Sequence, residues 1–232
     1  MIKCVGLKRG DTLIEVMFAV GIFSLVAIAV VSVMNGSLRS IQGALETTMT
    51  RNEIDAQAEA IRFIQSAYIA EKDLAEDKQV YTAAWKKIVK LAEANDVDIA
   101  TFEPAECGEL YEKTDDKSYI ASQNAFVVNT RKLGVSGDSD NSDVAIITAG
   151  KSSGKFEEAG TYPRLIFGGD ANTLSNTASS MDLTYADGIY VVGIKDTEGT
   201  YYDFYIRTCW NSAGANQVST ISTVIRLYNP DL

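Results

Sequence analysis

A single carboxylate, Glu15, lies in a run that is otherwise uncharged from Leu13 to Met34. A carboxylate in a membrane-spanning helix costs roughly 2.5–3.5 kcal/mol at mid-membrane and normally has a partner. A cut after Gly10 would give Asp11 a free α-amino group, one helical turn before Glu15. We expect this amine, from the same helix or from an offset neighbouring copy, to pair with Glu15 and fix the register of packed helices.

A cut after Gly10 would remove Cys4 and leave two cysteines in the chain, Cys107 and Cys209. An even pair on an exported protein predicts one disulfide. It would close a loop of roughly 100 residues, for which chain entropy allows about 4–5 kcal/mol. Two buried free thiols are the alternative.

Histidine is absent, which excludes Ser-His-Asp and Cys-His catalysis and histidine-ligated zinc. No other spacing points to catalysis, so we expect a protein that is not an enzyme and has no cofactor; an enzyme on a membrane anchor is a distant alternative. Asp138, Asp140 and Asp143 form a weak calcium candidate, because the loop lacks the glycine and the glutamate of an EF-hand. A solvated loop is the favoured interpretation.

The charge balance disfavours nucleic acid as a partner. The chain has 21 basic and 31 acidic residues, a net charge of −10. Removing residues 1–10 takes away Lys3, Lys8 and Arg9, which leaves 18 basic residues and a net charge of −13. Phosphate binding needs clustered cations.

The apolar run from Leu13 to Met34 is long enough, as a helix, to span a hydrocarbon core of ~30 Å. Basic residues before it, and Arg39 only well after it, predict a cytoplasmic N-terminus. A secretory signal would be shorter and would end at a small-residue cleavage site. A plain signal anchor fits the length but does not explain Glu15.

The segment Lys8-Arg9-Gly10, followed by Asp11-Thr12-Leu13-Ile14-Glu15-Val16-Met17, resembles the type IV prepilin signal. The resemblance implies cleavage after Gly10 by a prepilin peptidase, usually with N-methylation of the new first residue. It also implies contact between Glu15 and the N-terminus of another pilin subunit, and a pilus assembly platform as partner. Asp11 departs from the apolar residue usual there, which puts methylation and the strength of the contact with Glu15 in doubt.

The size of the chain favours a minor pilin. A pseudopilin of a type II-like secretion system and a pilus-associated adhesin are the alternatives, and the charge of −13 counts against an adhesin for DNA. We expect a single-pass membrane protein with an extracytoplasmic head, which reaches the cell surface in the assembled pilus.

The remaining chain predicts an α+β fold, a long N-terminal helix on an antiparallel sheet, which is also the architecture that the resemblance implies. Residues 1–10 are the expected leader, 11–36 the transmembrane half of the helix, 37–75 its amphipathic half and 76–232 the globular head. One helix is expected from about Asp11 to Glu71 and a second over Gln79–Asn95. The apolar face of the long helix is expected to contain Leu38, Ile41, Leu45, Met49, Asn52, Ala56, Ile61, Ile64 and Tyr68.

From Asn124 onward the apolar period is two, which predicts strands. The predicted strands are Ala125–Thr130, Val144–Thr148, Arg164–Phe167, Gly188–Lys195, Tyr201–Trp210 and Ser219–Leu227. Asp196–Gly199 reads as a hairpin turn, so the last three strands are expected to form an antiparallel meander.

Overall fold

One helix, α1 (Asp11–Glu71), has the bounds predicted from the sequence. The computed structural model of the chain describes residues 11–75, 79–95, 107–111, 113–114, 117–118, 120, 124–133, 145–149, 156–168, 183–212 and 218–231. The chain divides into two compact units, Met1–Ala44 and Leu45–Leu232, and α1 contributes residues to both. Without a proline to remove a backbone donor, nothing in the sequence of α1 interrupts its hydrogen bonding.

The second unit contains short helices and strands. The helices are α2 (Thr82–Glu93) and α3 (Gly108–Tyr111), so the second predicted helix is shorter than expected at both ends. Among the described residues the strands are β1 (Lys113–Thr114), β2 (Lys117–Ser118), β3 (Phe126–Val128), β4 (Ile146–Thr148), β5 (Phe156–Glu157), β6 (Arg164–Phe167), β7 (Leu183–Asp187), β8 (Ile189–Lys195), β9 (Tyr201–Asn211) and β10 (Val218–Tyr228).

The main sheet has five strands in the order β10-β9-β8-β3-β4, and every neighbouring pair is antiparallel. The predicted meander of β8, β9 and β10 is therefore confirmed. Its first turn needs Gly199, whose φ of 72° is open to glycine and strained for other residues. The Gly199 amide donates to Asp196 O at 3.0 Å, which closes this turn.

The main core lies between one face of this sheet and the two longer helices. Trp85 of α2 is at its centre, with ring centroids 6.2 Å from Tyr68 of α1 and 6.2 Å from Tyr202 of β9. Ile61 and Ile64 of α1 are completely buried in the same cluster. A long helix on an antiparallel sheet is the predicted α+β fold.

A second layer covers the other face of the sheet. Cys107 and Leu110 pack there on Tyr190 and Val192 of β8, in a cluster that also contains Cys209. A smaller three-stranded sheet, in the order β5-β7-β6, adds a further apolar cluster against β8. Strand β8 is consequently buried on both faces, and its first six residues are all buried.

The expected apolar face of α1 is wrong at Leu38 and Ile41, which are exposed, and over residues 45–56, and it is correct beyond them. Leu45 and Met49 are 55% and 39% exposed, and Asn52 and Ala56 are exposed as well. The buried residues of this stretch are the polar Glu46 and Thr50 and the apolar Ile54, and the polar Gln57 just beyond it is buried too. Glu46 and Gln57 can be buried there because distant parts of the head supply their hydrogen-bond partners, and Thr50 Oγ1 donates to Glu46 O of its own helix.

Candidate functional site: the apolar segment, the buried polar stripe and the disulfide

The apolar segment of α1, residues 13–34, is exposed along its whole length in the first unit. Its large apolar side chains are between 55% exposed, at Val26, and 74% exposed, at Phe23. The segment contains a stretch with a mean hydropathy of 2.7, and by length and composition this helix can cross a membrane. So large an apolar surface on a folded protein indicates a membrane or a protein partner.

Two hydroxyl groups in and just after this segment are satisfied within the helix. Ser24 Oγ donates to Val20 O at 2.8 Å, and Ser37 Oγ donates to Val33 O at 3.0 Å. These bonds to the preceding turn remove the need for an outside acceptor. The segment is therefore compatible with an apolar surrounding in which water supplies no hydrogen bonds.

Glu15 lies one helical turn after Asp11, the first residue of α1, and is exposed. Among residues 11–75 and the other described ranges, no hydrogen bond or ion pair reaches Glu15. Gly10, the predicted processing site, lies outside the described residues. The pairing of Glu15 with an N-terminal amine thus stays a prediction. Any partner of Glu15 would be a group other than the described side chains.

A shallow groove lies along one side of the helix at Gly21. It is lined by the apolar residues Ile14, Met17, Phe18, Gly21, Ile22 and Leu25. A Cβ at Gly21 would meet no atom within 4 Å, so the glycine leaves open space on the helix surface. Small residues at such places let another helix approach closely in an apolar surrounding.

Glu46 is a buried carboxylate that the sequence analysis missed. It is 8% exposed, and its Oε2 accepts hydrogen bonds from Trp210 Nε1 at 3.2 Å and from Ser212 Oγ at 2.7 Å. These bonds join α1 to the end of β9. The four-residue spacing of Glu46, Thr50 and Ile54 was the only sequence signal that these residues share a face of the helix. Two of the three are polar, which suggested a face in contact with solvent.

The neighbouring carboxyl of Glu53 is partly buried, and this burial raises its pKa.

The end of α1 is joined to the last residues of the chain. Tyr68 Oη donates to the Asp231 carboxylate at 2.8 Å, and Lys72 Nζ donates to Pro230 O at 3.1 Å. Burial, together with this bond to an anion, raises the pKa of Tyr68 to about 12. These contacts fix the C-terminal residues to the helix.

The structure contains the predicted disulfide between Cys107 and Cys209. The Cα atoms are 5.6 Å apart and both residues are completely buried. The bond joins the segment before α3 to β9, across 102 positions of sequence. Burial raises the pKa of the Tyr111 phenol well above its ordinary value, and the nearby phenol of Tyr190 and carboxylate of Asp187 add to this shift.

No group of three or more His, Cys, Asp or Glu residues that could hold a metal ion occurs among the described residues. The weak calcium candidates Asp138, Asp140 and Asp143 lie outside them. Near the disulfide, Glu158 accepts a hydrogen bond from Asn211, and Asp187 lies 3.9 Å from Arg164. Glu158 is therefore paired with a hydrogen-bond donor, and Asp187 with a side chain of opposite charge.

Comparisons of the chain with protein-family models, with curated proteins and with solved structures find no match. The arrangement of a long apolar N-terminal helix and an antiparallel sheet is compatible with a pilin-like fold.

Proposed function

We propose that this chain is a prepilin, and that it becomes a minor subunit of a type IV pilus after cleavage following Gly10. The observation that carries the proposal is the position of Glu15. It is the only charge in the exposed apolar segment, residues 13–34, and lies one turn after the residue that cleavage would make the N-terminus. A membrane anchor alone gives no reason for this carboxylate.

The exposed apolar segment supports two successive roles for α1. In the membrane it would hold the unprocessed chain, with the N-terminus in the cytoplasm and the second unit outside. In a filament the same surface would pack against the helices of other subunits. The groove at Gly21 and the internally bonded Ser24 suit both surroundings, because neither requires contact with water.

The pairing of Glu15 with the amine of a neighbouring subunit would specify how far one helix is displaced along the next. An unpaired carboxylate in the filament interior is strongly disfavoured, so only the offset that brings an amine to Glu15 would be stable. The function is structural on this proposal. The prepilin peptidase and the pilus assembly platform would be its partners in the membrane.

Mass spectrometry of sheared filaments and of the membrane fraction tests this function. We expect a mature N-terminus at Asp11 on protein recovered with the filaments. Intact residues 1–10 on a protein confined to the membrane would contradict the proposal. A different outcome would indicate a pseudopilin. In that case the protein is cleaved after Gly10 but never leaves the membrane, and its loss stops secretion of other proteins.

A further inference from the structure

Strand β10 (Val218–Tyr228) is a long outer strand of the five-stranded sheet. It pairs with β9 along all 11 of its residues. On its other side, no strand follows it among the described residues. The backbone donors and acceptors on that side therefore have no strand partner in the described part of the chain.

The register shows which backbone groups face outward. Asn229 N donates to Thr200 O at 2.9 Å, which makes this a hydrogen-bonded pair. Because such pairs alternate along an antiparallel ladder, the odd-numbered residues of β10 bond β9 and the even-numbered residues face outward. Gln65 confirms the direction, since its Nε2 donates to the outward carbonyl of Tyr228 at 2.6 Å. In the part of the chain that the structure describes, this is the one hydrogen bond to the edge, and residues 218–226 stay open.

The open edge lacks the features that usually protect edge strands. Natural edges carry lysine, proline, bulges or inward-pointing charges. Residues 218–225 contain no charge and no proline, and the pairing with β9 has no bulge. The one charged residue, Arg226, lies at the end and is held by Asp203, with bonds of 2.8 and 2.7 Å.

The charge distribution suits a second copy of this chain. Two copies with a net charge of −10 each repel one another over most of their surfaces. Residues 211–230 contain no aspartate or glutamate, although the chain has 31 of these residues. Repulsion between copies is therefore weak at the strand whose edge is open.

We propose that β10 pairs with β10 of a second copy, antiparallel, about a two-fold axis at Ser222. This register uses all of residues 218–226 and stops before Tyr228, whose carbonyl is occupied by Gln65. It places Ser222 opposite Ser222, Thr220 opposite Val224 and Val218 opposite Arg226. On the other face of the strand it places Ile221 opposite Thr223 and Ser219 opposite Ile225.

The side chains agree with this register. Pairs of β-branched residues, such as Thr220 with Val224, are favourable across an antiparallel ladder. Neither copy of Arg226 lies opposite a like charge. Ile221 and Thr223 are only half-buried in the single chain and become covered by the partner strand. The five pairs of facing residues exchange two bonds each, about ten hydrogen bonds, a number typical of a protein interface.

A contact of this kind uses the same surface on both copies and closes as a dimer. The two main sheets join into one sheet of ten strands, since each copy contributes five. The pairing does not depend on the proposed function in a pilus, because it uses neither Gly10 nor Glu15. It gives the second unit an association of its own.

Charge substitutions at Ser222 test the axis. Ser222→Lys and Ser222→Glu each place like charges directly opposite one another, whereas a mixture of the two variants places opposite charges there. The number of copies is measured by light scattering on the full chain in mild detergent. We expect a dimer for the unchanged chain, a single chain for each variant alone and a restored dimer in the equimolar mixture.

Ala83, which is exposed on α2, supplies the matched control. Ala83→Lys and Ala83→Glu should both remain dimeric, and all four variants should keep the far-UV circular dichroism spectrum of the unchanged chain. An unchanged chain that stays single overturns the proposal. A dimer that survives both Ser222 variants overturns it too, because the contact then lies elsewhere. Variants that dissociate but are not restored by mixing overturn the two-fold axis at Ser222.

Discussion

The side-chain amide of Gln57 and the backbone of Val128 exchange two hydrogen bonds across 71 positions of sequence. Gln57 Nε2 donates to Val128 O at 2.9 Å, and Val128 N donates to Gln57 Oε1 at 2.8 Å. Both residues are completely buried. One side chain thereby satisfies both polar groups of a strand residue, and it fixes the position of α1 along β3.

Replacing Gln57 with alanine should destabilise the second unit strongly. Gln57→Ala leaves the buried donor and acceptor of Val128 without partners, each at about 1–3 kcal/mol. Gln65→Ala is the control, because it removes an exposed bond to a backbone carbonyl and should cost about 1 kcal/mol or less. Urea unfolding followed by tryptophan fluorescence measures both variants. Equal losses in the two variants would contradict a special role for Gln57.

Loss of the disulfide should be the largest single change in stability. In Cys107→Ser with Cys209→Ser the unfolded chain regains the freedom of a loop of about 100 residues, so we expect a loss of about 4–5 kcal/mol. Cys4→Ser in the unprocessed chain is the matched control and should leave the free energy of unfolding unchanged. Thermal melts with and without reductant give the comparison. A melting temperature insensitive to reductant would show that the bond contributes little.

The link between Tyr68 and Asp231 should make stability fall at alkaline pH. Tyrosine in an unfolded chain has a pKa of about 10, and that of Tyr68 in the folded chain is about 12. The folded chain therefore prefers the neutral phenol. This contribution is complete below pH 10 and is lost as the pH rises towards 12.

Tyr68→Phe isolates this contribution from the other tyrosines with raised pKa values, Tyr81, Tyr111 and Tyr202. The variant should be less stable than the unchanged chain at pH 8, and the difference should shrink between pH 10 and 12. Urea unfolding at several pH values measures it. A constant difference over this interval would refute the link.

Gly193 should tolerate no side chain, because it lies where α2 packs against β8. A Cβ there would be 2.8 Å from Ala92 Cβ and 2.8 Å from Phe204 Cε1. Gly193→Ala should cost about 1–3 kcal/mol through overpacking. Gly160→Ala is the control, since a Cβ at this exposed glycine meets no atom within 4 Å. An equal decrease in the melting temperatures of the two variants would contradict the packing argument.

Glu15→Ala should leave processing after Gly10 intact and should reduce incorporation into filaments. The reason is the loss of the carboxylate that we propose pairs with a neighbouring amine. Ser24→Ala is the control in the same helix, because the Ser24 hydroxyl donates to Val20 O of its own helix. Immunoblots of sheared filaments and membranes compare the two variants. Normal incorporation of Glu15→Ala would refute the assembly role.

Local signals account for what the sequence predicted well. The bounds of α1, the meander and the turn at Asp196–Gly199 each follow from periodicity or turn chemistry within one segment. The pairing of Cys107 with Cys209 followed from counting cysteines on a chain expected to be exported. Strands β5 and β7 were not predicted. Strand β5 has few residues and weak alternation, and neighbouring strands decide the pairing of both.

The sequence by itself determined that an apolar helical segment, residues 13–34 with the single carboxylate Glu15, precedes an α+β head. Only the tertiary structure decided which side of α1 that head covers over residues 45–57. Leu45 and Met49 were expected to be buried, but Glu46, Thr50 and Gln57 are buried instead. The physical reason is that burial depends on partners far along the chain, since Trp210 and Val128 supply the hydrogen bonds that polar side chains need in a core.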